Sequence, residues 1–324
     1  MIGTVPKFAE AFSSVIRLFL FAGCMQLAPV SSYAQSSDNI VVAGPFSGTY
    51  APMGDLLKQA AGLHEGSGEI IFTDTGCDGQ IAANAVTELI AQSPTQVIGI
   101  PCIDAFDTMA PALIDAGIPI VAVGLQTPDV TVETGGLVKR IAPTLPQIHE
   151  RLAAYLGVEW RNVPFAIVDD GTLSGRLLAQ EVGAALAEAS LEPIFRDTYR
   201  PLLSNQTALV RRLARAGVEH VILGGDSFDA AVIGADAARL GVSLVIAGGP
   251  NLLGTEEDGR LADGTLIATA PSFDALATFA FGVARETTNL ELTFDENGEP
   301  IENLSTLLVI ENGEPKTLIP SLVE

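Results

Sequence analysis

The sequence predicts an α/β protein of two lobes, each a parallel sheet flanked by helices, and three observations carry that expectation. Short β-branched or apolar runs alternate with amphipathic stretches, the pattern of parallel strands joined by helices. A chain of 324 residues with 48% hydrophobic composition has material for a large core and usually divides into two folding units. The alternation also breaks once, where an extended run from Leu137 to Pro143 precedes a new series after Pro146.

The elements follow in order. Ile40 to Ala43 reads as a strand, Met53 to Leu63 as a helix and Glu69 to Phe72 as a strand. Ile81 to Ala91 spaces Ala82, Val86, Leu89 and Ile90 on one helical face. Gln96 to Ile100 and Pro119 to Val123 continue the sheet, and between them a helix from Asp107 to Asp115 stops at Ala116-Gly117. The second series opens with a helix from Ile148 to Leu156. Its strands are Phe165 to Val168, Ile194 to Thr198, His220 to Leu223 and Leu244 to Ala247. The helices between them are Arg176 to Ala189, Thr207 to Ala216 and Ala230 to Leu240. Gly264 to Ala270 reads as a return crossing, followed by a helix from Phe273 to Arg285. The tail carries two strands and the pentapeptide Glu-Asn-Gly-Glu-Pro twice, at Glu296 to Pro300 and Glu311 to Pro315, a signal of tight turns. The domain expectation is residues 1–34 as a signal peptide, 35–143 with about 268–302 as the first lobe, and 144–267 with about 303–324 as the second.

The signal rests on Lys7 and Arg17 ahead of an apolar run from Leu18 to Val30, with Ser32 and Ala34 at the −3 and −1 positions of a cleavage site. Cleavage starts the mature chain near Gln35 and places it in the periplasm. Phe21-Ala22-Gly23-Cys24 keeps lipoprotein anchoring open as an alternative. The apolar run is interrupted by Gly23, Gln26 and Pro29, and no later run reaches about 18 apolar residues, so no membrane span is expected.

Removing Lys7, Arg17 and Glu10 from the 17 basic and 39 acidic residues leaves 15 against 38, a net charge of about −23 that repels nucleic acid and anionic lipid. The mature chain keeps Cys77 and Cys102, an even pair that in an oxidising compartment predicts one disulfide; two free thiols are the rival reading. Enzymatic readings find little. His64, His149 and His220 show no metal-binding spacing, and His64 and His220 are taken as structural. There is no Gly-x-Ser-x-Gly elbow, and Gly248-Gly249 lacks the order a dinucleotide needs, so neither catalysis nor a cofactor is expected.

Several strings in sequence order carry a resemblance. Gly44-Pro-Phe-Ser-Gly48 with Tyr50-Ala51-Pro52-Met53-Gly54, the cysteine pair, Ala116-Gly117-Ile118-Pro119-Ile120-Val121, Lys139-Arg140-Ile141-Ala142-Pro143 and Val221-Ile222-Leu223-Gly224-Gly225 resemble the leucine/isoleucine/valine-binding family of periplasmic proteins that serve ABC importers. The resemblance covers most of the mature chain. It implies two Rossmann-like lobes of the type I periplasmic binding fold, a hinge of several crossovers, a disulfide in the first lobe, a small-molecule ligand and a permease complex as partner. A non-transport sensor or accessory subunit on the same fold is the alternative.

Carried over residue by residue, the family's ligand contacts fall on Ile103 in place of a carboxylate-binding serine, and on Gly124 and Gln126 on the next loop. In the second lobe they fall near Thr144, on Ser174, near Asp226 or Ser227 and near Pro250 or Asn251. The family's clamp for an α-amino acid is thus largely replaced, which implies a polar or carboxylate-bearing solute held in another way. Ser47 and Tyr50 offer hydroxyls on the first loop, either to a ligand or to the turn itself. Asp226 serves equally as a ligand group or as a helix cap, and Asp104 and Asp107 straddle a helix start as caps do. The chain is also shorter than its relatives between Pro271 and Leu292, where they carry several helices of the first lobe.

Overall fold

The computed structural model describes residues 39–63, 69–125, 135–254, 258–284 and 292–323. The signal segment, His64 and Gln126 lie outside them. Five parallel strands form the first sheet: β1 (Ile40–Gly44), β2 (Ile70–Asp74), β3 (Gln96–Gly99), β4 (Ile120–Val123) and β5 (Val138–Ile141), in the order β2-β1-β3-β4-β5. Helices α1 (Ala51–Leu63), α2 (Gly79–Ala91) and α3 (Ile103–Asp115) connect them. Successive strand residues point to opposite faces, so Val41 and Ala43 meet α2 and α3 through Leu89, Met109 and Leu113. Ile40 and Val42 meet Leu57 of α1 and Leu276 and Phe281 of α8 (Phe273–Ala284) on the other face. Each such side chain contributes about 1.5–3 kcal/mol when fully buried.

Seven strands form the second sheet, in the order β12-β11-β10-β9-β8-β6-β7: β6 (Phe165–Asp169), β7 (Phe195–Thr198), β8 (His220–Gly224), β9 (Val245–Gly248), β10 (Leu266–Thr269), β11 (Thr306–Glu311) and β12 (Glu314–Ile319). The strands β6 to β10 run parallel; β11 lies antiparallel to β10, and β12 to β11. Helices α4 (Leu145–Glu159) and α5 (Leu173–Glu188) pack on one face through Leu152, Leu156, Val182 and Leu186. Helices α6 (Thr207–Arg215) and α7 (Ser227–Arg239) pack on the other through Leu209, Leu213, Ala230 and Ile233.

Several expected boundaries move, among them the starts of α5, at Leu173 rather than Arg176, and of α7, at Ser227 rather than Ala230. Helix α3 begins at Ile103 rather than Asp107, with Asp104 in its first turn, where a negative charge favours the exposed N–H groups. Helix α4 begins at Leu145 rather than Ile148. Thr144 and Gln147 form a reciprocal capping box, and Pro146 falls in the first turn, where a missing N–H costs nothing. Gly264 to Ala270 is not merely a crossing, because Leu266–Thr269 pairs as β10 inside the second sheet.

The chain passes between the two sheets three times: after β5, after β10 to reach α8, and after Pro300 to reach β11. Gln147 Nε2 donates to the Pro300 carbonyl at 3.1 Å and Asn303 Nδ2 to the Gln147 carbonyl at 2.7 Å, joining the first and third passages. The two pentapeptides differ. Asn312 and Gly313, with φ of 57° and 81°, make the two-residue turn between β11 and β12. In the other copy the Asp295 carboxylate accepts from the backbone of Asn297 and Glu299, and Gly298 at φ 78° lies against the Val138 carbonyl without room for a Cβ. Glu299 there pairs with the fully buried Arg140, whose Nη1 also donates to the Leu125 carbonyl. Burial lowers the Arg140 pKa to about 10, against an opposing pull from Asp295.

Candidate functional site

In doubly wound sheets, ligands sit beyond the carboxyl ends of the parallel strands. At that end of the first sheet the loops are tied to one another. Asp74, closing β2, accepts hydrogen bonds from the backbone of Phe46 at 2.8 Å and Gly76 at 2.9 Å, and from the Ser47 side chain. Partial burial works to raise its pKa, but these hydrogen bonds outweigh burial and hold the carboxyl below its ordinary value. Ser47 is therefore already engaged by its own turn. Cys77 and Cys102 form a disulfide with Cα atoms 5.2 Å apart, binding the start of α2 to the start of α3.

Asp78 caps α2, accepting from Gln80 and Ile81, whereas Cys102 at the start of α3 gives no side-chain cap. The first N–H groups of α3 are left as donors that suit an anion. Ile103 is exposed beside them and Tyr50 is exposed at the start of α1. Ile100, a β-branched residue, is held at φ 48° between β3 and α3, a strained conformation fixed by a bond from its N–H to the Ala43 carbonyl. Gly124 follows β4 at φ 78°, and a Cβ there would meet the Phe273 ring at 2.9 Å.

The second sheet ends differently. The loops after β6, β8 and β9 enclose a cavity of about 230 Å³. Leu145, Leu173, Leu177, Leu178 and Pro250 give it apolar walls, while Ser174, Asn251 and His149 bring polar atoms. Glycines make its floor. A Cβ on Gly224 would overlap the Gly175 carbonyl, and one on Gly249 would meet Leu178 at 2.6 Å, so only glycine lets α5 approach β8 and leaves the hollow open. Tyr199 reaches under Gly225, and burial together with the nearby charge of Asp229 pushes its hydroxyl pKa up, keeping it neutral. Burial, then the charge of Asp226, raises the Asp229 carboxyl as well.

Of the residues singled out from sequence, the structure brings Ser174 and Asn251 together, with Asn251 Nδ2 3.5 Å from Ser174 Oγ. Thr144 caps α4 and stands next to Leu145 of the cavity wall. Asp226 caps α7, accepting from the Asp229 N–H at 2.9 Å. Sequence reasoning passed over His149. It follows Leu145 by one helical turn on α4, a spacing that places both on one face, and that was the available signal.

The profile of the periplasmic binding protein family matches residues 39–278. The chain belongs to this family. Proteins of the family bind ligands rather than transform them. A Leu/Ile/Val-binding protein homologue of Brucella melitensis is 24% identical over 254 residues, covering 74% of this chain and 69% of that protein. Among solved structures, a putative branched-chain amino acid ABC transporter protein of Rhodospirillum rubrum superposes with a TM-score of 0.67 at 16% identity, covering 87% of this chain and all of the other. A solute-binding protein of an ABC transporter from Rhodopseudomonas palustris, in complex with 3,4-dihydroxybenzoic acid, gives 0.56 at 12% identity, covering 88% and 96%. These likenesses establish the type I periplasmic binding fold. Among the described residues no helix is long and apolar enough to cross a membrane.

Proposed function

We propose that this chain is the periplasmic substrate-binding protein of an ABC importer, and that it captures a small carboxylate-bearing solute other than a standard α-amino acid between the ends of its two sheets. The observation that carries the reading is the lining of the second-sheet cavity. It has apolar walls with the polar groups of Ser174, Asn251 and His149, and among the described residues that line it none is acidic and able to pair with an α-ammonium group. Asp226, the nearest substitute by sequence, has one carboxylate oxygen engaged as the cap of α7. On the first-sheet side, the uncapped N–H groups of α3 and the backbone of Gly124 suit a carboxylate.

Relatives named for leucine, isoleucine and valine and a fold neighbour holding a dihydroxybenzoic acid support small organic acids as the class. The three passages between the sheets supply a hinge on which the lobes close around a solute, and a permease distinguishes that closed form.

A thermal-shift screen of the purified protein against carboxylic acids, amides, alcohols and amino acids tests the capture. A ligand at about 100 times its Kd stabilises by about 2.7 kcal/mol. A carboxylic acid without an α-ammonium group as the strongest stabiliser is the expected result, and leucine or valine in that place overturns it. Uptake of the same labelled solute by cells lacking this chain tests the importer role; unchanged uptake counts against it.

A further inference from the structure

His149 on α4 is a buried imidazole turned toward the cavity. It is only 5% exposed, and its Nδ1 lies 2.6 Å from Glu181 Oε2 of α5. The other ring nitrogen, Nε2, lies 3.9 Å from the point a Cβ on Gly249 would occupy, on the cavity side. Among the described residues Nε2 has no hydrogen-bond partner. A carboxylate accepts from Nδ1–H, so Glu181 fixes the orientation of the ring and leaves Nε2 as the ring position that faces the cavity.

We infer that His149 Nε2 forms a hydrogen bond with a hydroxyl on the apolar end of the solute, so that the site selects hydroxylated carboxylic acids over their plain counterparts. The inference rests on the capture reading and assigns it a specificity-determining residue. Leu145, Leu173, Leu177 and Leu178 enclose the body of the solute, His149 reads its far hydroxyl, and the carboxylate lies toward the first sheet. Sites built to bond a substrate hydroxyl reject the analogue that lacks it far more strongly than apolar pockets reject a missing methylene.

Calorimetric titration with two matched pairs tests this: 4-hydroxybenzoate against benzoate and 4-hydroxybutyrate against butyrate, alongside the most strongly stabilising solute from the screen. At least one hydroxylated acid is expected to bind the unaltered protein 10-fold or more tighter than its partner. In His149→Leu the two members of that pair become equal within about 3-fold, at the affinity of the plain acid. His149→Gln keeps an acceptor at the position and retains part of the preference; its thermal melt, with that of His149→Leu, checks folding. If His149→Leu does not fold, loss of preference in His149→Phe and its retention in His149→Gln decide the matter.

A solute bound equally well by the unaltered protein and by the Leu or Phe variant overturns the role of His149 and leaves the capture reading standing. A strongest solute with no hydroxyl or N–H donor does the same. No binding of any solute in the panel overturns both.

Discussion

The two sheets end in contrasting ways. At the first, Asp74 gathers Phe46, Ser47 and Gly76, a disulfide joins α2 to α3, and Tyr50 and Ile103 stand exposed. At the second, Gly224 and Gly249 withdraw their side chains and leave a hollow walled by leucines. A bonded platform and a glycine-floored hollow suit different tasks. The platform holds its backbone N–H groups in fixed positions, and the hollow offers apolar walls with a few polar groups.

The contrast is broken or sharpened by four substitutions, taken from the largest effect downward. Replacing both Cys77 and Cys102 by serine removes a cross-link spanning 25 residues, and chemical denaturation should show a loss of about 3–4 kcal/mol. Solute preference should persist at low temperature, since the hollow belongs to the other sheet; altered preference there would merge the two tasks. Gly249→Leu drives a side chain into Leu178, costing about 1–3 kcal/mol in the same assay. It should abolish solute binding in calorimetry while the protein stays folded, and retained affinity would show that the hollow is not the site.

Asp226→Ala removes the cap of α7 for about 1 kcal/mol. Affinity should stay unchanged, and a clear drop would restore Asp226 as a ligand group. The smallest effect is one of pH. The folded Asp74 carboxyl titrates below its ordinary 3.8, so its contribution is fully present above that value and is lost as pH falls through the lower folded one. The stability margin of the unaltered protein over Asp74→Asn, measured in urea, should shrink between pH 5 and pH 2; a margin independent of pH would mean the turn does not depend on that charge.

Much of the fold could be read from the chain because local patterns and global packing agree. Val41 and Val42 serve opposite faces of one sheet, and the apolar runs at Phe165 and Val221 needed burial on both sides. Helix starts were harder. Pro146 looks like a barrier until it is seen to occupy the first turn behind Thr144, and Cys102 gives no cap signal at all. The site was harder still, since it is assembled from loops distant in sequence. Ser174 and Asn251 were named through the resemblance as candidate contacts, but His149 is visible only once Glu181, 32 residues away, is seen to claim one side of its ring. Nothing in the local sequence around Gly249 shows that its missing side chain is what keeps the hollow open.

The three passages between the sheets also set an order of assembly. Strands β1 to β5 are complete by residue 141, yet the face that presents Ile40, Val42 and Ile98 is covered in part by α8, which ends at Ala284. In a chain that emerges N-terminus first, those strands precede their covering helix by the whole run of β6 to β10. The first sheet is thus begun first and finished late, and until Leu276 and Phe281 arrive its apolar face is the surface on which a chaperone, or a neighbouring nascent chain, would act.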